Sequence, residues 1–299
     1  SQIHAHVSGA VDNEVMSEEE AFLTIKRFLS YLPQNVWQLP PTVSCDDPVD
    51  RRDEQLISAI PRNRREMYEI SNIINAIVDR DSFFEINPAY GQSLTVGLAR
   101  LDGHAVGLMA NNTKHHGGAV NAAASEKMMR FVDLCDTFHL PMVNLVDNPG
   151  FLIGTEAEQE GTVRLGSRAL MAVYQSSIPW VSVIIRRCYG VAGAGHGKSD
   201  GLNLRYAWPS ADWGSLPIEG GVQAAYKRDI ESAENPELRR RELEEMLEQY
   251  RSPLRTAEAF GIEEVIDPRD TRPLLCEWIK LAYDLLPSQV GPKARTSRP

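Results

Sequence analysis

Two nearly continuous apolar runs restrict this chain more than any other feature. They are "PMVNLVD" (141–147) and "WVSVIIRR" (180–187), and each has the length of one buried strand. Between them "TVRLGSRALMAVYQSS" carries helical periodicity, and "ASEKMMRFVDLCDTF" does so just before the first run. Apolar strands alternating with helices predict an α/β fold, with sites in the turns that follow the strands.

The flanking segments extend this reading. "SLTVGLARLDGHAVGLMAN" reads as two strands joined at Asp102–Gly103, a strong hairpin signal. "MYEISNIINAIVD" is helical. "MSEEEAFLTIKRFLSYLP" predicts an amphipathic helix that is acidic at its start, apolar at Ala21, Phe22, Ile25, Phe28 and Leu29, and stopped by Pro33. In the tail, "NPELRRRELEEMLEQY" predicts a mostly solvated helix capped by Asn235, with Leu238, Met246, Leu247 and Tyr250 turned inward; "TRPLLCEWIKLAYDLL" follows as another. The Pro- and Asp-rich stretch after Pro33 has no period and reads as a linker. The expected divisions are therefore 1–32, a linker at 33–50, and a main domain over 51–299.

Composition narrows the chemistry. A net charge of −10 argues against nucleic acid as the main partner, because phosphate binding needs clustered Lys and Arg. No apolar run reaches the roughly 18 residues of a membrane span, and the first residues lack the pattern of a signal peptide, so a cytoplasmic or organelle-matrix location is expected. The four cysteines are scattered without a C-x-x-C pair, which predicts neither a zinc site nor a disulfide framework. Adjacent His115 and His116 cannot easily share one ion and have no evident third ligand, so no metal is expected in this chain.

The segment "RRCYGVAGAGHGKSDG" (186–201) fits a loose nucleotide-binding P-loop, with Ala192 in place of its first glycine. A P-loop follows its strand directly and opens a helix. Here Arg186 to Val191 intervene, and "DGLNLRYAWPS" is a poor helix start. The glycines suit another role: a strand followed by such a turn can aim consecutive backbone N–H groups at one oxygen, as an oxyanion hole does.

"VDNPGFLIGTEAEQEGTVRLGSRALMAVYQSSIPWVSVIIRRCYG" resembles the centre of the carboxyltransferase (β) subunit of biotin-dependent acyl-CoA carboxylases of the propionyl-CoA and acetyl-CoA type. "FFEINPAYGQSLTVGLARLDGHAVGLMANN", "RFVDLCDTFHLPMVNLVD" and "SPLRTAEAFGIEEVIDPRDTRPLL" agree with the same family in order and spacing, and the likeness runs from about Ala5 to the end. It implies a crotonase/ClpP-like α/β superhelix of ββα units. Family subunits have two homologous halves, one for acyl-CoA and one for carboxybiotin. This chain resembles the second, with residues 1–32 resembling the tail of the first. The acyl-CoA half would then be on another chain, cut away, or absent.

The resemblance implies transfer of a carboxyl group between carboxybiotin and the α-carbon of an acyl-CoA. Biotin would arrive on a separate carrier protein, and a coenzyme A thioester would be the substrate. Negative charge develops on the ureido and thioester oxygens, so two sets of N–H donors are needed and no metal is. By that likeness the biotin-side donors are the backbone N–H groups of Val191 and Ala192 after Tyr189–Gly190, with Gly193 and Ala194 in the same pocket. Gly150, Phe151 and Gly154 would line its neighbouring wall, and Lys198 is either a cation near biotin or CoA phosphates or a solvated side chain. Expected partners are a biotin carboxylase and biotin carrier subunit, the acyl-CoA-side domain if it is separate, and further copies in a dimer-based oligomer up to a hexamer. Val191, Ala194, Val120–Asn121 and Leu216–Pro217 depart from the common family pattern around the site, so the resemblance does not fix the acyl group. Two alternatives share these features: a decarboxylase running the same transfer backwards, and a diverged half-subunit serving as an assembly scaffold.

Overall fold

The computed structural model describes residues 2–64, 66–197, 200–214, 218–248 and 252–295. Ser17 caps helix α1 (Glu18–Leu29) by accepting the Glu20 N–H at 3.1 Å. Residues 33–47 then run without helix or strand. They are tied down where Arg51 donates to the Asp47 carboxylate at 2.7 Å and Arg272 donates to the Pro48 and Asp47 carbonyls at 3.0 and 3.1 Å. Helix α2 (Ile70–Ile77) and strand β1 (Phe84–Ile86) lead into the hairpin of β2 (Leu94–Leu101) and β3 (His104–Asn111). Its two turn residues, Asp102 and Gly103, have φ of 50° and 75°, the left-handed pair that a two-residue hairpin requires.

Asn121 caps α3 (Ala122–Thr137) by accepting from Ala124 N–H, which completes a ββα unit. The two apolar runs become β4 (Met142–Asn148) and β5 (Trp180–Tyr189), separated by α4 (Thr155–Gln159) and α5 (Thr162–Gln175). A short turn of helix, α6 (Gly190–Ala194), precedes β6 (Asn203–Ala207) and β7 (Asp212–Gly214). Four helices follow: α7 (Ile218–Ala225), α8 (Lys227–Ser232), α9 (Pro236–Glu248) and α10 (Pro253–Glu258). Strand β8 (Glu264–Val265) and α11 (Thr271–Leu285) end the fold.

The described strands form one sheet in the order β1-β2-β3-β4-β5-β6-β8, with β7 beside the end of β5. The first three strands pair antiparallel, and β3 through β8 pair parallel. Both faces are covered, as the apolar runs predict. Leu108, Val143 and Val183 pack under Ile73 and Ile77 of α2 and Ile279 of α11. An odd number of residues along each strand, one for Met109 and Met142 and three for Trp180, the side chains face Phe131 of α3 and Ala169 of α5. This is the period of two expected of strands buried on both sides.

Two local expectations need correction, and one helix forms as predicted but without cover. Strand β5 continues through Tyr189, so no spacer separates it from the glycine turn. Helix α1 forms, but its apolar stripe is not buried: Phe22, Ile25 and Leu29 are each more than half exposed, while Phe28 reaches the Phe84 ring. In α9 the inward residues are Leu243 and, partly, Leu247, whereas Leu238 and Met246 face outward. Among the described residues that helix packs with Val222 and Ile230 and with the partly buried Ile218 and Tyr226. Tyr250, Lys198 and Leu216–Pro217 lie outside the described residues.

Candidate functional site

The turns leaving β3, β4 and β5 converge at the carboxyl ends of the parallel strands, where open α/β sheets place their sites. The first two turns are stitched together by backbone bonds: Val120 N–H donates to Gly150 O at 3.1 Å and Leu152 N–H to Val120 O at 2.9 Å. Asp147, fully buried at the end of β4, joins them to β5. One carboxylate oxygen accepts from Arg186 Nε at 2.8 Å and the Tyr68 hydroxyl at 2.8 Å. The other accepts from the Arg187 backbone N–H at 3.1 Å and from Arg187 Nε at 2.6 Å. Arg187 also donates to Gly117 O of the first turn at 2.6 Å. Burial, with Asp147 beside it, pushes the Tyr68 phenol well above its ordinary range, so it stays a hydrogen donor.

At the end of β5 the backbone reverses at Gly190, whose φ of +62° is strained for any side chain bearing a Cβ. Helix α6 starts there. The leading N–H groups of a helix have no intrahelical acceptor, and no side chain caps this one. The N–H groups of Gly190, Val191 and Ala192 are thereby grouped at the start of one turn, consistent with the oxyanion-hole reading of the glycines. Gly193 is there for another reason: a Cβ on it would meet the Cys188 backbone at 2.9 Å. Beyond Gly197 the described chain enters β6, not the helix that a P-loop requires.

A cleft of about 840 Å³ opens beside this turn, with Ser182, Cys188, Gly190, Gly193, His196 and Arg205 in its wall. Burial pushes the Cys188 thiol up to about 12, so it is not a thiolate nucleophile at neutral pH. Of the residues expected from sequence, Tyr189 and Ala192 are buried, Val191 is 66% exposed, and Ala194 closes α6. Gly150, Phe151 and Gly154 belong to the adjoining β4 turn and not to the wall of this cleft. Phe151 packs its ring against Gly166 of α5, where a Cβ would come within 2.4 Å of it.

Sequence reading missed Asp147, Arg186 and Arg187, and also His196 with its two asparagines. His196 is 3% exposed, and its ring nitrogens lie 2.9 Å from Asn144 Nδ2 and 2.7 Å from Asn148 Nδ2. Burial pushes its imidazole down to about 4. The native state therefore excludes a proton that the unfolded chain binds below its ordinary value of 6.5. Stability should fall as pH drops from about 6.5 to about 4, by about 3 kcal/mol from this group. Urea unfolding across that range should show a shallower loss in His196→Gln than in the wild type; equal slopes would contradict the assignment.

Among the described residues no cluster of three or more His, Cys, Asp or Glu is disposed to hold a metal, and no helix is long and apolar enough to cross a membrane. The sequence pattern of the carboxyl transferase domain matches residues 1–293. The chain is 36% identical over 292 residues to the propionyl-CoA carboxylase carboxyltransferase subunit of Haloferax mediterranei, covering 97% of this chain and 57% of that protein. It is 33% identical over 271 residues to the methylmalonyl-CoA decarboxylase subunit alpha of Veillonella parvula, covering 90% and 52%. A crystal structure of transcarboxylase 12S, a hexamer with methylmalonyl-coenzyme A and methylmalonic acid bound, superposes with a TM-score of 0.90 at 30% identity, over 100% of this chain and 56% of that one. The fold is crotonase-like, as expected, and the chain spans about half the length of the curated relatives it matches.

Proposed function

The chain belongs to the carboxyl transferase domain family, and on that premise we propose that it is the biotin-side half of an acyl-CoA carboxyltransferase, an enzyme moving a carboxyl group between carboxybiotin and the α-carbon of a propionyl- or acetyl-type thioester. The observation that carries this reading is the Gly190 turn, which gathers uncapped N–H groups beside a cleft with room for a bicyclic ureido ring. A neutral ring of that kind needs N–H donors for its oxygen and no fixed cation, and that is the donor set this turn offers.

When bound, biotin supplies the transferable carboxyl group and a ureido oxygen that gains negative charge on its loss. The Val191 and Ala192 N–H groups hold that oxygen, and the buried Tyr189 and Ala192 side chains keep water from the back of the turn. Such preorganised donors strengthen as charge develops and need no reorganisation. The thioester oxygen would be held by donors of the acyl-CoA-side domain. We assign residues 1–32 to the tail of that domain, 33–50 to a linker and 51–299 to the biotin side; the lack of helix or strand at 33–47 supports the linker. Gly150, Phe151 and Gly154 support the site from the β4 turn. Carboxylation and decarboxylation are one reaction in two directions, and relatives of both kinds match with similar identity. A biotin carrier and a dimer-based oligomer are the expected partners, in line with the transcarboxylase hexamer, and cytoplasm or organelle matrix is the expected compartment.

Free biotin at millimolar concentration should raise the melting temperature of the folded chain, and ATP with magnesium should not. A shift with ATP alone would overturn this reading in favour of nucleotide binding.

A further inference from the structure

His196 sits where the β4 turn meets the glycine turn, and its hydrogen bonds with the described residues determine its tautomer. Both ring nitrogens face a side-chain amide, yet a neutral imidazole offers one donor and one acceptor. Asn148 is fixed in orientation, because its Oδ1 accepts the Gly150 N–H at 2.9 Å. Turning that amide over would set its NH₂ group against the Gly150 N–H, donor against donor. Asn148 Nδ2 is therefore the donor to His196 Nε2, which carries no proton. The ring proton is then on Nδ1 and needs an acceptor. Among the described residues Asn144 Oδ1 is buried without a partner, and a turn of the nearly isosteric Asn144 amide brings it against Nδ1. The turn gives up the long 3.4 Å bond from Asn144 Nδ2 to the His196 carbonyl, a smaller loss than the 2.9 Å Gly150 bond that turning Asn148 would break.

The His196 backbone is held as firmly. Its N–H donates to Gly193 O at 3.2 Å, its carbonyl accepts from the Ser182 hydroxyl, and that hydroxyl accepts from Trp180 Nε1 at 3.1 Å. Asn144 and Ser182 stand in β4 and β5, Asn148 opens the β4 turn, and Gly193 lies in α6. We propose that His196 is a positioning residue, fixed as its neutral Nδ1–H tautomer, that locks the Asn148–Gly150 turn to the far end of α6 and so aims the N–H groups at the near end. The aiming role rests on the function proposed above; the tautomer does not. The charged state is disfavoured at this place because both flanking groups are neutral amides, and burial acts in the same direction.

The test uses the full chain with ¹⁵N-labelled histidine, and His196→Gln identifies the His196 ring signals. Between pH 7.5 and 5.5, Nδ1 should have the shift of a protonated nitrogen and Nε2 that of an unprotonated one. Nε2–H, an imidazolium, or an average of the two tautomers would overturn the assignment. For the aiming role, His196→Leu should move the backbone amide signals of Gly150, Val191 and Ala192, while His196→Gln, which can still donate once and accept once, should largely restore them. Unmoved amides in His196→Leu would overturn it. In the assembled enzyme, His196→Leu should lower kcat about tenfold or more with KM for acyl-CoA unchanged, and Gln should recover most of it. Should wild type not turn over at all, the proposed reaction fails, and the tautomer and amide signals still decide this inference.

Discussion

Asp147→Asn is expected to remove about 3–5 kcal/mol of folding stability, because it breaks a buried ion pair from one side. Asp147 has no exposed surface, and the Arg186 side chain beside it is only 5% exposed. The carboxylate accepts four hydrogen bonds, from two guanidinium groups, one backbone N–H and one phenol. An asparagine keeps the shape but withdraws the charge and turns a donor NH₂ toward groups that are themselves donors. Arg186, stacked 4.9 Å over the Tyr68 ring, cannot reach water without dismantling that contact. Against a typical total of about 5–15 kcal/mol, the loss is a large fraction. Urea unfolding at pH 7 should show a much lower midpoint at an unchanged slope. A loss below about 1 kcal/mol would mean that the pair contributes no more than a surface salt bridge.

Gly190→Val is expected to act on catalysis instead. Gly190 is exposed, so the substitution displaces no core, but a β-branched residue does not tolerate a φ of +62°. Relaxing that angle rotates the peptide planes that follow, and the Val191 and Ala192 N–H groups no longer converge. Removal of one such donor typically lowers kcat by about 10²–10³-fold. Kinetics of the assembled enzyme should show that loss in kcat with KM for acyl-CoA nearly unchanged, while the stability read from urea unfolding falls by no more than the roughly 1–3 kcal/mol that one strained backbone residue costs. Activity within about threefold of wild type would remove the turn from the mechanism.

The central elements were legible because each carried its own local signal. Asp102–Gly103 is short-range turn chemistry, and β4 and β5 are apolar runs with nowhere to go but the middle of a sheet. Strands β6, β7 and β8 were not legible: Asn203–Ala207 is mostly half-buried and the others are two or three residues long, so neither periodicity nor length separates them from loop. Apolar spacing on α1 marked a face that would gain from cover, but periodicity does not say that cover is present, and Phe22, Ile25 and Leu29 are exposed.

The site divides in the same way. Its glycine turn was readable because glycine density is a local property. Its supports are pairwise and distant: Asp147 meets Arg186 across 39 residues, and His196 meets Asn144 and Asn148 across 52 and 48. One signal for them was present. Asn144 interrupts an otherwise apolar strand, and a buried amide must find a partner. The sequence does not say that the partner is the histidine after the glycines.

Loss of the carboxyl group from methylmalonyl-CoA or malonyl-CoA in the presence of free biotin tests the central claim most directly. It should be followed with this chain alone and with this chain combined with a protein resembling the acyl-CoA-side half. Biotin-dependent turnover that requires both is the predicted result, and it should disappear in Gly190→Val. No turnover in a folded complex of the two would contradict a carboxyltransferase and leave a scaffold in its place.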